Sequence, residues 1–252
     1  MTMPPTSSGR RRRSSLCVAQ DALAHRLPAR YDHLQRELFD SYAKPLIRSG
    51  VSVLDVGAGR APTFPEADRP PGCTYVGLDL SGSELAAAPD QSYDDFVVSD
   101  VTTRVTSLIG QFDVIISWQL LEHVRPLPMA MENLRSYLRP GGRLVAHFSG
   151  ALGLFGLLSR AVPDRVTPAL LEKMFDRPRS TTFPAYYHKC WAGALTEIGR
   201  PWSSFQVIPR HEGARYFAFS RHVQAMYLAY EEWAAQNGHD NLASYYLVVA
   251  IR

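Results

Sequence analysis

Cysteine is scarce in this chain. Three residues in 252, Cys17, Cys73 and Cys190, stand too far apart for a disulfide framework or a spaced metal motif. Their scarcity suits a reducing cytoplasm. Long apolar runs are lacking too: none approaches the ~20 residues needed to cross a bilayer, so stable membrane insertion is not expected. No internal repeat is visible. Net charge is small, with 27 basic against 24 acidic residues giving +3. Four of the arginines, Arg10 to Arg13, sit in an N-terminal stretch with no acid before Asp21, and without them the chain carries −1. The remainder therefore offers no basic face for a phosphodiester backbone, which argues against a nucleic-acid partner. Residues 1–20, Ser/Arg-rich with Pro4, Pro5 and Gly9, have the composition of a disordered solvated tail. The same composition is compatible with an organellar targeting signal.

What is present is an ordinary globular composition, 46% hydrophobic and 20% charged, long enough for one domain with an insertion over 21–252. It is organised around Val51-Ser52-Val53-Leu54-Asp55-Val56-Gly57-Ala58-Gly59-Arg60-Ala61-Pro62. The apolar, β-branched run reads as a strand buried on both faces, the first of a parallel sheet. Gly57 and Gly59 let the backbone turn and approach a ligand without a Cβ in the way. Pro62 suits the first turn of a following helix. Asp55 discriminates between ligands: a carboxylate at this turn repels a pyrophosphate, whereas it attracts a cationic ligand. The third glycine of the dinucleotide fingerprint is also missing, because the loop is G-x-G-x-x-P.

Two further acids follow the same pattern. Thr74 to Leu80 reads as a second strand ending at Asp79, a little over twenty residues after Gly57, where doubly wound folds place an acid on the ribose hydroxyls. An acid there also serves as a plain helix cap, and Ser81 follows. Phe96 to Asp100 is a third strand with an acidic end. Phe112-Asp113-Val114-Ile115-Ile116-Ser117 is a fourth, followed by Trp118-Gln119-Leu120-Leu121-Glu122-His123-Val124. Arg139-Pro140-Gly141-Gly142 then makes a turn into a fifth strand, Leu144 to Phe148.

This acid-x-G-x-G loop resembles the first motif of the class I S-adenosylmethionine-dependent methyltransferases. The Phe-Asp-(apolar)₃ strand with Leu-Glu-His-Val is similar to the small-molecule members often grouped as type 11. The resemblance covers roughly residues 45–150 and lies in five elements taken in order. It implies S-adenosyl-L-methionine as cofactor, held by Asp55, Gly57, Ala58, Gly59, Asp79, Leu80, Asp100 and Val101, with Ser117 and Trp118 beside it. In such proteins the acid at Asp100 accepts from the adenine amine, and the N–H at Val101 serves a ring nitrogen. A helix before the first strand supplies an Arg or Tyr to the cofactor carboxylate. Arg30 and Tyr31 are the candidates, within a helical stretch over Asp21 to Arg48.

The expected fold is α/β, a doubly wound Rossmann-like sheet of seven strands in the order 3-2-1-4-5-7-6, with a lid or acceptor-binding insertion over 151–204. Gly150 to Val162 is apolar and suits a lid, an interfacial helix or plain core; Thr167 to Phe175 reads as a short helix. Phe183-Pro184-Ala185-Tyr186-Tyr187-His188 has the composition of a lid, with Tyr186 and Tyr187 as acceptor contacts, although aromatic clusters also simply pack. Cys190 to Ile198 precedes a sixth strand around Phe205 to Pro209. Gly213 to Phe219 is expected to be extended, and Val223 to Ala235 helical with Met226, Tyr227, Tyr230 and Trp233 on one stripe. Tyr245 to Ile251 is the last strand.

Methyl transfer demands alignment and exclusion of water, with a general base only for an acceptor that holds its proton tightly. His123 and His188 are the candidate bases; His147 is expected to be a satisfied core histidine. No Asp/Asn-Pro-Pro-aromatic run and no Pro-Cys pair follows the fourth strand, which sets aside amino-purine and pyrimidine C5 chemistry. No extra acid cluster suggests a metal. The expectation is O-methylation of a glycoside, phenolic or lipophilic small molecule. The alternatives are a catalytically inactive regulatory protein that binds the cofactor and, more remotely, a nicotinamide oxidoreductase.

Overall fold

The computed structural model describes residues 27–28, 31, 35–153 and 184–252. Arg30, the N-terminal tail, most of the apolar run after Gly150, the expected helix Thr167 to Phe175, and Phe183 lie outside the described residues.

Seven strands form one sheet: β1 (Ser52–Val56), β2 (Thr74–Asp79), β3 (Asp95–Val98), β4 (Phe112–Trp118), β5 (Leu138–Ser149), β6 (Ser204–Arg210) and β7 (Tyr245–Ile251). Their order is β3-β2-β1-β4-β5-β7-β6, as expected. β1 runs parallel to β2 and β4, with Asp55 beside Gly77 on one side and Ile116 on the other. β7 inserts antiparallel between β5 and β6. β5 begins earlier than the apolar run predicts. Leu138 still pairs with Phe112, and the register resumes at Val114 and Arg143 after the Pro-Gly-Gly turn.

Alternation along the strands supplies two cores. Leu54, Val56, Ile115, Leu144 and Ala146 face one layer, against α3 (Leu127–Tyr137) and α4 (Ala192–Gly199), which follow the short α2 (Gly82–Ala86) in the chain. Val53, Val114, Ile116 and Val145 face the other, where α1 (Gln35–Ala43) buries Phe39 and Ala43. A third cluster gathers Tyr31, Ala214, Phe217 and Tyr227 against α5 (Arg221–Gln236).

Three local expectations are corrected. No helix follows the glycine loop; residues 57–65 are irregular, and only a 3₁₀ turn, Glu66–Asp68, occurs before β2. The physical reason lies in Pro65, which is extended (φ −62°, ψ 158°) and disfavours a helical conformation at Phe64 before it. Nor is Gly213 to Phe219 extended: Ala214–Phe217 is a 3₁₀ turn. Its backbone groups are taken by side chains, Gly213 N–H by Glu231 (2.6 Å), Ala214 N–H by Tyr31 (3.0 Å) and Ala214 C=O by Gln224 (3.1 Å). Finally, the packed face of α5 is Gln224, Tyr227, Glu231 and Ala234, while Met226 is 74% exposed. The polar members are tolerated inside because Glu231 accepts from Gly213 N–H and Gln224 donates to Ala214 C=O.

Candidate active site

The carboxyl ends of β1, β2 and β4 meet at the glycine loop. Gly57 adopts φ +78°, and its N–H donates to Leu78 C=O at 2.8 Å. A Cβ there would lie 2.9 Å from Leu120 Cβ, so both the left-handed backbone and the close cover by Leu120 require glycine. Gly59, at φ +53°, donates its N–H to Asp79 Oδ2 at 3.0 Å. Tyr93 donates its hydroxyl to the carbonyls of Ala58 and Gly59. Three elements thus fix the loop without the helix that the motif led us to expect.

The three acids differ in what they can reach. Asp79 is half-buried at the edge, its Oδ1 accepting from Ser81 N–H at 2.8 Å. The cap of α2 is the Ser81 hydroxyl instead, which leaves the Asp79 carboxylate facing the loop. Leu80, beside it, is 71% exposed. Asp100 is exposed and accepts from Thr102 N–H and hydroxyl, each at 2.8 Å. Val101 is buried behind it, its carbonyl held by Asn133.

Asp55 lies deeper than the other two acids. It has no exposed surface, and its oxygens accept from Thr63 N–H (2.7 Å), Thr63 hydroxyl (2.7 Å) and Tyr75 hydroxyl (2.8 Å). Burial raises its carboxyl above the usual carboxylate range, against the lowering effect of those three bonds. It braces the loop from within. Ser117 is fully buried and ties β4 to β1 through Val56 C=O at 3.2 Å.

Trp118 opens the other half of the site. Its ring lies on His147 (centroids 4.5 Å apart, 20° between planes) and edge-on to Phe39. With Gln35, Arg36, Glu212, Arg215, Tyr216 and Tyr245 it lines a cavity of about 340 Å³. Tyr216 and Tyr245 are joined hydroxyl to hydroxyl. Glu212, 4% exposed, is ion-paired with Arg210; burial raises its carboxyl, and the guanidinium opposes that shift. Beneath Trp118 and Tyr245, His147 is buried with neither ring nitrogen hydrogen-bonded, so it is a core histidine but not a satisfied one. Desolvation, reinforced by Arg210, pushes its pKa down to about 3.

The remaining candidates lie elsewhere. Tyr31 is buried in the third cluster, its hydroxyl shared between Glu231 and Ala214 N–H. Tyr187 is buried in the α3/α4 core, with its N–H on Glu122 C=O, while Tyr186 is half-exposed. His188 accepts Leu127 N–H on Nδ1 (3.3 Å) at the start of α3, and burial lowers its pKa. His123 Nδ1 lies 3.0 Å from Pro184 C=O. Neither imidazole lines the cavity. Arg36, Glu212 and Arg215 were not anticipated. The only signal was the polar triplet Arg210-His211-Glu212, directly after a strand.

Comparison with known proteins agrees with this architecture. Residues 23–179 match the family described as methyltransferase domain, more than half of the chain. A ubiquinone biosynthesis O-methyltransferase of Nitrobacter winogradskyi is 29% identical over 112 residues, 43% of this chain and 42% of the relative. A polyketide methyltransferase of Ustilaginoidea virens is 32% identical over 124 residues, 43% of this chain and 27% of the relative. The chain thus spans less than half the length of these curated relatives. Phosphoethanolamine N-methyltransferase 2 of Haemonchus contortus, solved with phosphomonomethylethanolamine and S-adenosylhomocysteine, shares the fold at a TM-score of 0.51 and 15% identity, over 85% of this chain and 52% of that one. Together, the glycine loop between Asp79 and Leu120, the strand order and the family match establish that this chain belongs to the methyltransferase-domain family.

Proposed function

We propose that the protein transfers a methyl group from S-adenosyl-L-methionine to a hydroxyl of a small molecule, of the glycoside, phenolic or lipophilic kind. The observation that carries this reading is the half-exposed Asp79 carboxylate, held 3.0 Å from Gly59 N–H with the exposed Leu80 at its side. Two vicinal ribose hydroxyls match the oxygens of such a carboxylate. An exposed leucine gives the adenine a flat apolar surface, and Asp100 stands ready for its amine. When bound, the sulfonium nucleoside supplies an electrophilic methyl carbon. The chain's own work is to hold the donor at the loop, to place the acceptor beside Trp118, and to keep water out.

The choice of a hydroxyl acceptor draws on the cavity. Arg36 and Arg215 among its walls disfavour a cationic amine, and the aromatic rings favour a flat, partly apolar partner. The O-methyltransferase names among the curated relatives support the same choice. Among the described residues, no helix is long and apolar enough to cross a membrane. Calorimetric titration with S-adenosylhomocysteine and with NAD tests the donor half: micromolar binding of NAD alone would end the reading. Incubation with methyl-labelled donor and a metabolite extract tests the acceptor half. The label should enter a small organic product, and its appearance only in RNA or protein would refute the assignment.

A further inference from the structure

The cavity beside Trp118 contains a carboxylate that neither the glycine loop nor the family match explains. We propose that Glu212 is the proton acceptor for a hydroxyl carried on a planar aromatic molecule of about two fused rings at most. This rests on the methyl-transfer reading above and deepens it.

Three observations carry the assignment. First, the space is small, about 340 Å³, and its walls are the rings of Trp118, Tyr216 and Tyr245, surfaces that accept a flat ring by stacking. Second, Glu212 is the one carboxylate among the residues lining it, and is almost wholly removed from solvent elsewhere. Its Oε1 is taken by the Arg210 guanidinium, so an acceptor O–H meets the carboxylate from the cavity side. Third, the other bases are placed elsewhere: His188 is occupied by Leu127 N–H, and His147 lies behind the Trp118 ring.

In the step, the acceptor O–H bond breaks and its electron pair stays on oxygen. The proton bonds to a Glu212 carboxylate oxygen, and the carboxyl returns it to water after product release. Burial raises the affinity of Glu212 for the proton and the Arg210 guanidinium opposes that rise, a combination suited to a base. The charged and titratable groups around it are Arg210 on its own segment, Arg215 and Tyr216 from the 3₁₀ turn, Glu231 from α5, Arg36 from α1, and Tyr245 from β7.

4-Nitrophenol provides a probe independent of turnover, because its phenolate absorbs separately from its phenol. The full chain, held with S-adenosylhomocysteine, is titrated with the dye across pH. A carboxylate facing the hydroxyl disfavours phenolate, so the bound dye should have its pKa raised by at least about one unit, a tenfold shift of the phenol-to-phenolate ratio. Glu212→Gln should abolish or reverse that rise as the arginines prevail, and Arg215→Gln, at an exposed position, should increase it. A wild-type pKa equal to or below that of free dye overturns the proposal even if Glu212→Gln fails to fold. No dye binding, or an unchanged shift in Glu212→Gln, overturns it as well. S-Adenosylhomocysteine affinity, measured on the same samples, separates the two failures: donor binding without the dye shift removes Glu212 alone, and no donor binding removes the methyl-transfer reading beneath it.

Discussion

His147 makes a sharp prediction about stability. Its imidazole is buried between Trp118 and Tyr245, and burial together with Arg210 lowers its pKa from 6.5 to about 3. In the unfolded chain the ring takes up a proton near its ordinary pKa; in the folded protein it does not. Stability attached to this residue is therefore full above about pH 6.5 and falls as pH drops toward 3. At about pH 5 the difference spans roughly 1.5 pK units, or about 2 kcal/mol. For a domain of this size, that corresponds to a melting shift of roughly 4–8 °C. His147→Phe keeps a flat ring in the stack while removing both orphaned nitrogens and the titration. Urea unfolding of wild type and His147→Phe at about pH 7.5 and pH 5 gives four free energies. Their double difference cancels every other titrating group and should be about 2 kcal/mol in favour of the variant at the lower pH. The variant should also gain at neutral pH, since an unsatisfied buried polar group costs about 1–3 kcal/mol. A double difference below about 0.5 kcal/mol would show that the ring is protonated or hydrated inside the fold and would refute the reasoning.

Other perturbations bear on the loop and its supports. Asp79→Ala should weaken S-adenosylhomocysteine binding by about 1–3 kcal/mol in calorimetry, the range for losing a charge-assisted hydrogen bond; unchanged affinity would remove Asp79 from the ribose role. Gly57→Ala places a Cβ against Leu120 in a left-handed backbone, and should cost at least about 1–2 kcal/mol in thermal unfolding as well as donor affinity. Glu231→Ala removes the buried acceptor of Gly213 N–H, Ser244 Oγ and the Tyr31 hydroxyl. It should destabilise the fold by about 3 kcal/mol or more in urea, whereas a change under about 1 kcal/mol would mean that water replaces the carboxylate.

The sheet was legible because its chemistry is local. Parallel strands covered on both faces must be continuous apolar runs, and Val53-Leu54-Asp55-Val56 or Val114-Ile115-Ile116 can hardly be anything else. Asp79, Gly57 and Gly59 were legible for a similar reason, since a strand end and its turn lie within a few residues of each other. The errors arose where a distant side chain captured a local group. The burial of Asp55 was not legible because the sequence does not show that Thr63 and Tyr75 donate to its oxygens. Gly213 to Phe219 looked extended because nothing nearby announces that Tyr31, Glu231 and Gln224 take its backbone groups. The cavity was least legible of all. Its walls come from α1, β4, the 3₁₀ turn and β7, and no spacing rule links Arg36 to Glu212 across the chain.

One side chain connects the two halves of the site. Arg36 donates through Nε to Asp40 at 2.6 Å and through Nη2 to Thr63 C=O, and its guanidinium lies 5.1 Å from the Phe64 ring and 5.3 Å from the Trp118 ring. Thr63 in turn holds Asp55, the inner brace of the glycine loop. A helix after the loop, had it formed, would have satisfied Thr63 within itself and left Arg36 no carbonyl to grip. The irregular segment therefore gives the fold something that the missing helix could not: a continuous chain of hydrogen bonds and ring contacts from the strand beneath the glycine loop to the wall of the cavity beside Trp118. Asp55 thus reaches the cavity through its partners: its carboxylate accepts from Thr63, Thr63 C=O accepts from Arg36, and Arg36 lies over the Trp118 ring.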